Sequence, residues 1–293
     1  MPRISYVNGR YMPHRLAAVH IEDRAYQFAD GVYEVIAVRE GRLVDEEAHL
    51  ARLDRSLGEL AMAQPMARSS LRHVIREVIR RNRVRDGMVY LQVSRGVAPR
   101  DHAFPQRARP ALVVNARAYK GPPAALQDKG CTVVTVPDIR WKRCDIKTTS
   151  LLPNVLAKQA ARDAGGYEAV MVDADGFVTE GSSTNFWIVT GKGVLVTRAP
   201  DTAILNGVTR RAVIDLARDA GLRFEERPFT VREAKAAKEA FLTSTTAFVL
   251  PVVAIDGAPL GDGRPGIFTR RLLADYRDHV AAQPSRHLSR ERL

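Results

Sequence analysis

A chain of 293 residues that is 45% hydrophobic and 27% charged has the length for two domains and the apolar content for a sizeable core, which excludes both a disordered chain and a single small module. Two cysteines, Cys131 and Cys144, without CxxC spacing or clustered histidines, argue against a disulfide scaffold and against a metal site. The net charge of +12 would suit nucleic acid, but only eight of the 45 basic residues are lysines, the arginines are scattered and aromatics make up 6%, so solvated helix faces account for the charge and no nucleic-acid partner is expected.

The opening segment MPRISYVNGRYMPHR has no apolar run able to serve as a signal peptide, and no later stretch approaches a membrane span; a cytoplasmic protein is expected. Tyr33 to Val38 then reads as a strand, Gly41 as a turn, and Leu50, Leu53, Leu57 and Leu60 as the buried stripe of a helix capped by Asp45. Leu71, Val74, Ile75, Val78 and Ile79 mark a second helix, with Ser70 as its expected cap and Arg72, Arg76 and Arg80 on its polar side. Met88 to Val93 and Ala111 to Val114 read as strands. Gly121-Pro122-Pro123 can continue neither helix nor central strand. The expected organisation is therefore a small domain over 1–117, a linker over 118–124, a larger domain over 125–282 and a loose tail over 283–293.

In the second part, Thr132 to Val136 reads as a strand and Val155 to Ala164 as a helix stopped by Gly165-Gly166. Strands Glu168 to Val172 and Phe177 to Glu180 flank Asp175-Gly176, the signature of a hairpin. Helices follow at Val208 to Ala220, at Val231 to Lys238 behind a Thr230/Glu233 capping box, and around Phe268, Leu272, Leu273, Tyr276 and Val280. Mixed strands and helices in both halves give a two-domain α+β architecture.

Four features carry potential chemistry, and each taken alone has an ordinary reading. Lys147, in Cys144-Asp145-Ile146-Lys147-Thr148-Thr149, is a surface lysine or a desolvated amine nucleophile. Glu180-Gly181-Ser182-Ser183-Thr184-Asn185 is a turn or a polar ligand wall. Gly207-Val208-Thr209 opens a helix whose free N–H groups favour phosphate, and Thr243 to Thr246 supplies hydroxyls to a ligand or to their own backbone. No Walker loop or GxGxxG fingerprint is present.

Taken together with Phe28-Ala29-Asp30-Gly31-Val32-Tyr33-Glu34 and Gly207-Val208-Thr209-Arg210, these segments resemble, in order and spacing, the fold type IV pyridoxal-phosphate (PLP) enzymes. The likeness runs from about Ile4 to Val280. It implies a smaller N-terminal α/β domain and a larger mixed C-terminal domain, with PLP as cofactor. It further implies that Lys147 bonds the cofactor and shuttles the α-proton, that Glu180 holds the pyridine nitrogen, and that Arg52, Val208, Thr209, Ser244 and Thr245 hold the phosphate. Arg95-Gly96-Val97-Ala98-Pro99-Arg100-Asp101-His102-Ala103-Phe104-Pro105 resembles the loop of the D-amino acid aminotransferase branch, in which Tyr33, Arg100 and His102 would bind the substrate α-carboxylate.

That resemblance implies ping-pong transamination between a D-amino acid and a 2-oxo acid, 2-oxoglutarate or pyruvate, by a homodimer. Branched-chain L-aminotransferases and aminodeoxychorismate lyases share the fold and stand as alternatives, as does a basic binding protein that has lost PLP. Three positions depart from the pattern: Ala29 where glycine is common, Lys142, and Trp187, which either narrows the site or fills the core.

Overall fold

The computed structural model describes residues 3–283, which divide into two compact units, residues 3–120 with 146–150 and 281–283, and residues 121–145 with 151–280. The expected tail over 283–293 lies outside the described residues except for Gln283, whose side chain bonds Asp45.

The N-terminal unit contains β1 (Ile4–Val7), β2 (Arg10–Pro13), α1 (Arg24–Phe28), β3 (Gly31–Arg39), β4 (Arg42–Leu43), α2 (Glu46–Glu59), α3 (Arg68–Arg81), β5 (Gly87–Ser94) and β6 (Ala111–Ala118). Its six strands form a wholly antiparallel sheet in the order β2-β1-β6-β5-β3-β4. The period of two puts Val89, Leu91 and Val93 of β5 beside Val32, Ile36 and Val38 of β3 in one core with Leu50, Leu53 and Leu57 of α2 and the Leu71/Val74/Ile75/Val78 stripe of α3. Each buried leucine or isoleucine adds about 1.5–3 kcal/mol.

Several boundaries differ from the sequence reading. The expected Ser70 cap lies inside α3, which begins after Ala67 without a side-chain cap. Asp45 does precede α2, but in a left-handed conformation (φ 54°) that leaves its side chain off the first turn. Strand β6 runs four residues past Val114 because Ala116 is fully buried against β5, so it enters the stretch expected as linker.

The second unit contains α4 (Ala124–Lys129), β7 (Cys131–Pro137), α5 (Leu152–Asp163), β8 (Glu168–Val172), β9 (Val178–Gly181), β10 (Asn185–Val189), β11 (Leu195–Thr197), α6 (Val208–Asp219), β12 (Phe224–Glu226), α7 (Val231–Lys235), β13 (Glu239–Ser244), β14 (Phe248–Ile255), β15 (Ala258–Pro259) and α8 (Ile267–Ala281). Its mixed sheet has the order β12-β11-β10-β13-β14-β7-β8-β9, with β15 on β14. Pairs β11/β12, β14/β7 and β7/β8 are parallel.

The β8/β9 hairpin turns at Asp175-Gly176, as its sequence predicts. The Asp173 carboxylate accepts from the amides of Asp175 and Phe177, and Gly176 takes φ 82°. Helix α7 is shorter than expected. Thr230 caps it by accepting from Glu233 N, whereas the Glu233 carboxylate turns to Arg227 instead of closing the capping box. Trp187 is core: it is fully buried, stacks on Phe241 and donates to Thr243 Oγ1 at 3.0 Å. Among the described residues no helix is long and apolar enough to cross a membrane.

Candidate active site

Residues 146–150 belong to the N-terminal unit although the chain on either side belongs to the other. Ile146 anchors them by entering the core of α2, α3 and the sheet. The backbone then pairs with β3: Tyr33 N donates to Lys147 O at 3.0 Å, Thr149 N to Gly31 O at 3.0 Å, and Val32 bridges Thr148. With Ile146 held in the core, the Lys147 amine comes to lie 3.3 Å from Tyr33 Oη and 4.3 Å from that ring's centroid.

Tyr33 stacks on Tyr90 at 5.7 Å, and the Tyr90 hydroxyl donates to Gln92 Oε1 at 2.6 Å. Burial, helped by the neighbouring Tyr33, pushes the Tyr90 phenol up to about 12, so it stays protonated and remains a donor. An amine, two phenols and an amide thus gather on the sheet face opposite the helices.

The core face of β3 carries an unexpected charge. Glu34 is fully buried and accepts Nε of Arg52 at Oε1 (2.7 Å) and Nη2 at Oε2 (2.8 Å), with His49 Nδ1 2.7 Å from the same Oε2. Burial would raise the Glu34 carboxyl, but Arg52 and His49 outweigh it and hold the group at about 2. Burial lowers His49 despite Glu34, which keeps the imidazole neutral and makes Nδ1–H the donor. Arg52 therefore stands on α2, in the N-terminal unit, with Glu34 as its fork partner; Thr209, Ser244 and Thr245 lie in the other unit.

Glu180 ends β9 and is buried. Arg140 Nη1 donates to it at 2.5 Å, Asn185 Nδ2 at 2.9 Å and Leu205 N at 3.2 Å to each oxygen. Arg140 also forks onto Asp138 and donates to Ala203 O at 2.9 Å. Burial penalises its charge, but the Asp138 and Glu180 carboxylates more than compensate, so the guanidinium is held above its ordinary value.

The same cluster reaches α6. Gly207 is the N-cap; no side chain caps the first turn, which contains no acidic residue, and a Cβ at Gly207 would collide with Asn185 Oδ1. Val208 and Thr209 follow, both buried. Asn185 pairs with Thr243, which precedes Ser244 at the end of β13, and Thr245 enters the turn to β14. Glu180, the α6 start and Ser244 are thus joined through Asn185.

Arg100 and His102 lie on an exposed loop and share one neighbour: the Phe28 centroid is 5.0 Å from the Arg100 guanidinium carbon and 5.3 Å from the His102 ring centre. The sequence reading missed Arg140, Glu34 and His49. The available signal for Glu34 was a carboxylate at a core-facing strand position, which demands a partner; for Arg140 it was Asp138 two residues earlier.

The model of the family Amino-transferase class IV matches residues 31–255, and the chain belongs to that family. Among its curated relatives, the D-alanine aminotransferase of Bacillus licheniformis is 40% identical over 95% of this chain and 98% of its own length, and that of Staphylococcus haemolyticus is 38% identical over 96% and 99%. Among solved structures, the branched-chain aminotransferase of Thermoproteus uzoniensis with norvaline is 27% identical, with a TM-score of 0.85 over 97% of this chain and 97% of that one.

Proposed function

We propose that the protein transfers amino groups between D-amino acids and 2-oxo acids, 2-oxoglutarate or pyruvate, by a PLP-dependent ping-pong cycle. The observation that carries this reading is the 40% identity, over nearly the whole of both chains, to a relative named D-alanine aminotransferase. The local chemistry agrees with it: the uncapped α6 start, kept open by Gly207, suits an anionic phosphate, and Glu180 is a buried acceptor suited to a ring N–H.

When bound, PLP supplies an aldehyde that condenses with amines and a ring that takes up the electron pair left by the departing α-proton. Lys147 would be the amine that holds the cofactor aldehyde, and its Nζ, oriented by Tyr33 Oη, would accept and redeliver the substrate α-proton. Glu180 would hold the ring N–H, and Arg140 fixes the carboxylate's direction. The amides of Val208 and Thr209, with Thr209, Ser244, Thr245 and Arg52, would hold the phosphate. Tyr33, Arg100 and His102 bind the α-carboxylate, which fixes the α-hydrogen that meets Lys147.

Steady-state assays with D-alanine, L-alanine and L-leucine and 2-oxoglutarate as acceptor test this. Activity on D-alanine far above either L-substrate is expected, and a preference for L-leucine would favour the branched-chain reading that the likeness to the Thermoproteus uzoniensis enzyme suggests. In Lys147→Ala, turnover should fall by at least about 10³-fold, with loss of the absorption band of covalently held cofactor.

The working form is proposed to be a homodimer. Exposed apolar side chains in the N-terminal unit (Leu16, Ile21, Tyr26) and in the other (Trp141, Leu152, Val155) support it.

A further inference from the structure

The loop after β5 carries Arg100 and His102, whose side-chain N–H groups bond no other group of the protein among the described residues, and it is fastened by two arginines whose donors are committed. Arg24 is 3% exposed and gives Nε to Asp30 at 2.8 Å, Nη1 to Asp101 O at 2.6 Å and Nη2 to His102 O at 3.4 Å. Arg95 is 7% exposed, forks onto the same Asp30 carboxylate at 2.7 and 3.0 Å, and donates to Leu60 O at 2.8 Å and Ala61 O at 3.3 Å. Its guanidinium carbon also lies 3.7 Å from the centroid of Phe104 at the loop's far end.

The base of the loop is tied independently. Arg24 N donates to Gly96 O at 3.0 Å, Ala98 N to Glu22 O at 3.4 Å, and Val97 bridges Asp23. Gly96 takes φ 105°, and a Cβ there would collide with Arg109 O. Residues 100–104 are exposed, so burial does not hold them. What holds them is the pair of carbonyl bonds from Arg24, the Phe104 contact and the Phe28 ring. A guanidinium against an aromatic ring keeps its N–H edge available to fork a carboxylate, which is how Arg100 is disposed.

We propose that Arg24, Asp30, Arg95 and Phe28 are positioning residues that set the geometry of the Arg100/His102 carboxylate site. The Arg24–Asp30–Arg95 cluster fixes the loop backbone at Asp101 and His102, and Phe28 fixes the two side chains. This rests on the substrate role of Arg100 and His102 proposed above. None of the four residues need touch substrate. Their loss leaves Arg100 and His102 present but misdirected, which weakens substrate binding and spares the chemical step.

The test uses PLP-loaded enzyme, D-alanine and 2-oxoglutarate, and the variants Phe28→Leu, Phe28→Tyr, Arg24→Lys, Arg100→Ala and the double variant Phe28→Leu/Arg100→Ala. Lysine at 24 keeps a charge beside Asp30 but cannot also reach both carbonyls; leucine at 28 keeps bulk without a ring. Phe28→Leu and Arg24→Lys should each raise the KM for D-alanine about ten-fold with kcat within about two-fold, and Phe28→Tyr should retain the parent KM. The double variant should raise KM by less than the product of the two single effects, because part of the ring's action passes through Arg100 and the rest through His102. If Arg100→Ala raises KM while Phe28→Leu and Arg24→Lys do not, the positioning proposal is overturned and the carboxylate site stands. If Arg100→Ala leaves KM unchanged, both fall. A parallel drop of kcat and melting temperature at constant KM would reduce the cluster to a structural brace and overturn the proposal.

Discussion

Lys147 and Glu180 are ordinary residue types given unusual surroundings, and those surroundings come from residues the sequence does not advertise. Lys147 is aimed by a hydrophobic neighbour, Ile146, that secures a short stretch of backbone in the N-terminal core. Glu180 is aimed by Arg140, whose guanidinium serves both the buried Glu180 and the partly buried Asp138 carboxylate. Arg140→Gln leaves Asp138 and Glu180 without their shared cation. We expect a loss of about 3 kcal/mol in unfolding free energy and a fall in PLP affinity of at least about ten-fold, read by equilibrium dialysis against the cofactor. Unchanged affinity with lowered stability would show that Arg140 serves the fold alone.

At the scale of elements, β3 does two jobs on its two faces. One presents Tyr33 to Lys147; the other buries Glu34 against α2, where Arg52 and His49 meet it. A carboxyl held at about 2 against an ordinary 4.5 contributes stability that is complete above 4.5 and lost as pH falls toward 2. A histidine lowered from 6.5 acts in the same sense, since below 6.5 the unfolded chain takes up a proton that the folded one refuses. Unfolding free energy should therefore decline from below pH 6.5 and most steeply between about 4.5 and 2. Glu34→Gln should lower stability by about 3 kcal/mol at pH 7 and flatten the acid limb, as followed by urea titrations across pH. An acid limb as steep in the variant as in the parent would count against this account.

For the molecule as a whole, exposed apolar side chains support the homodimer proposed above. Ile21 is 75% exposed and Tyr26 76% in one unit, and Leu152 is 69% exposed in the other. Sedimentation velocity should give about twice the 32.4 kDa chain mass at micromolar concentration. Ile21→Glu should shift the protein toward 32.4 kDa and reduce turnover with it. A parent protein that sediments as a monomer with full activity would refute the homodimer.

The periodic elements were legible because a helix stripe such as Leu71/Val74/Ile75/Val78 or an alternating strand such as Val89/Leu91/Val93 is a local pattern, set by 3.6- and 2-residue repeats. The Lys147, Glu180 and Gly207-Val208-Thr209 motifs were legible for a related reason: each needs specific residue types side by side in the chain. Less could be read where the partner is remote. Nothing near Glu34 announces Arg52, nothing near Arg24 announces His102, and Trp187 could be assigned to the core only once Phe241 was found stacked on it. Sequence alone determined which groups are available for chemistry; tertiary structure decided which of them are spent on one another and which keep free edges, because hydrogen-bond geometry between distant segments exists only after the strands have paired.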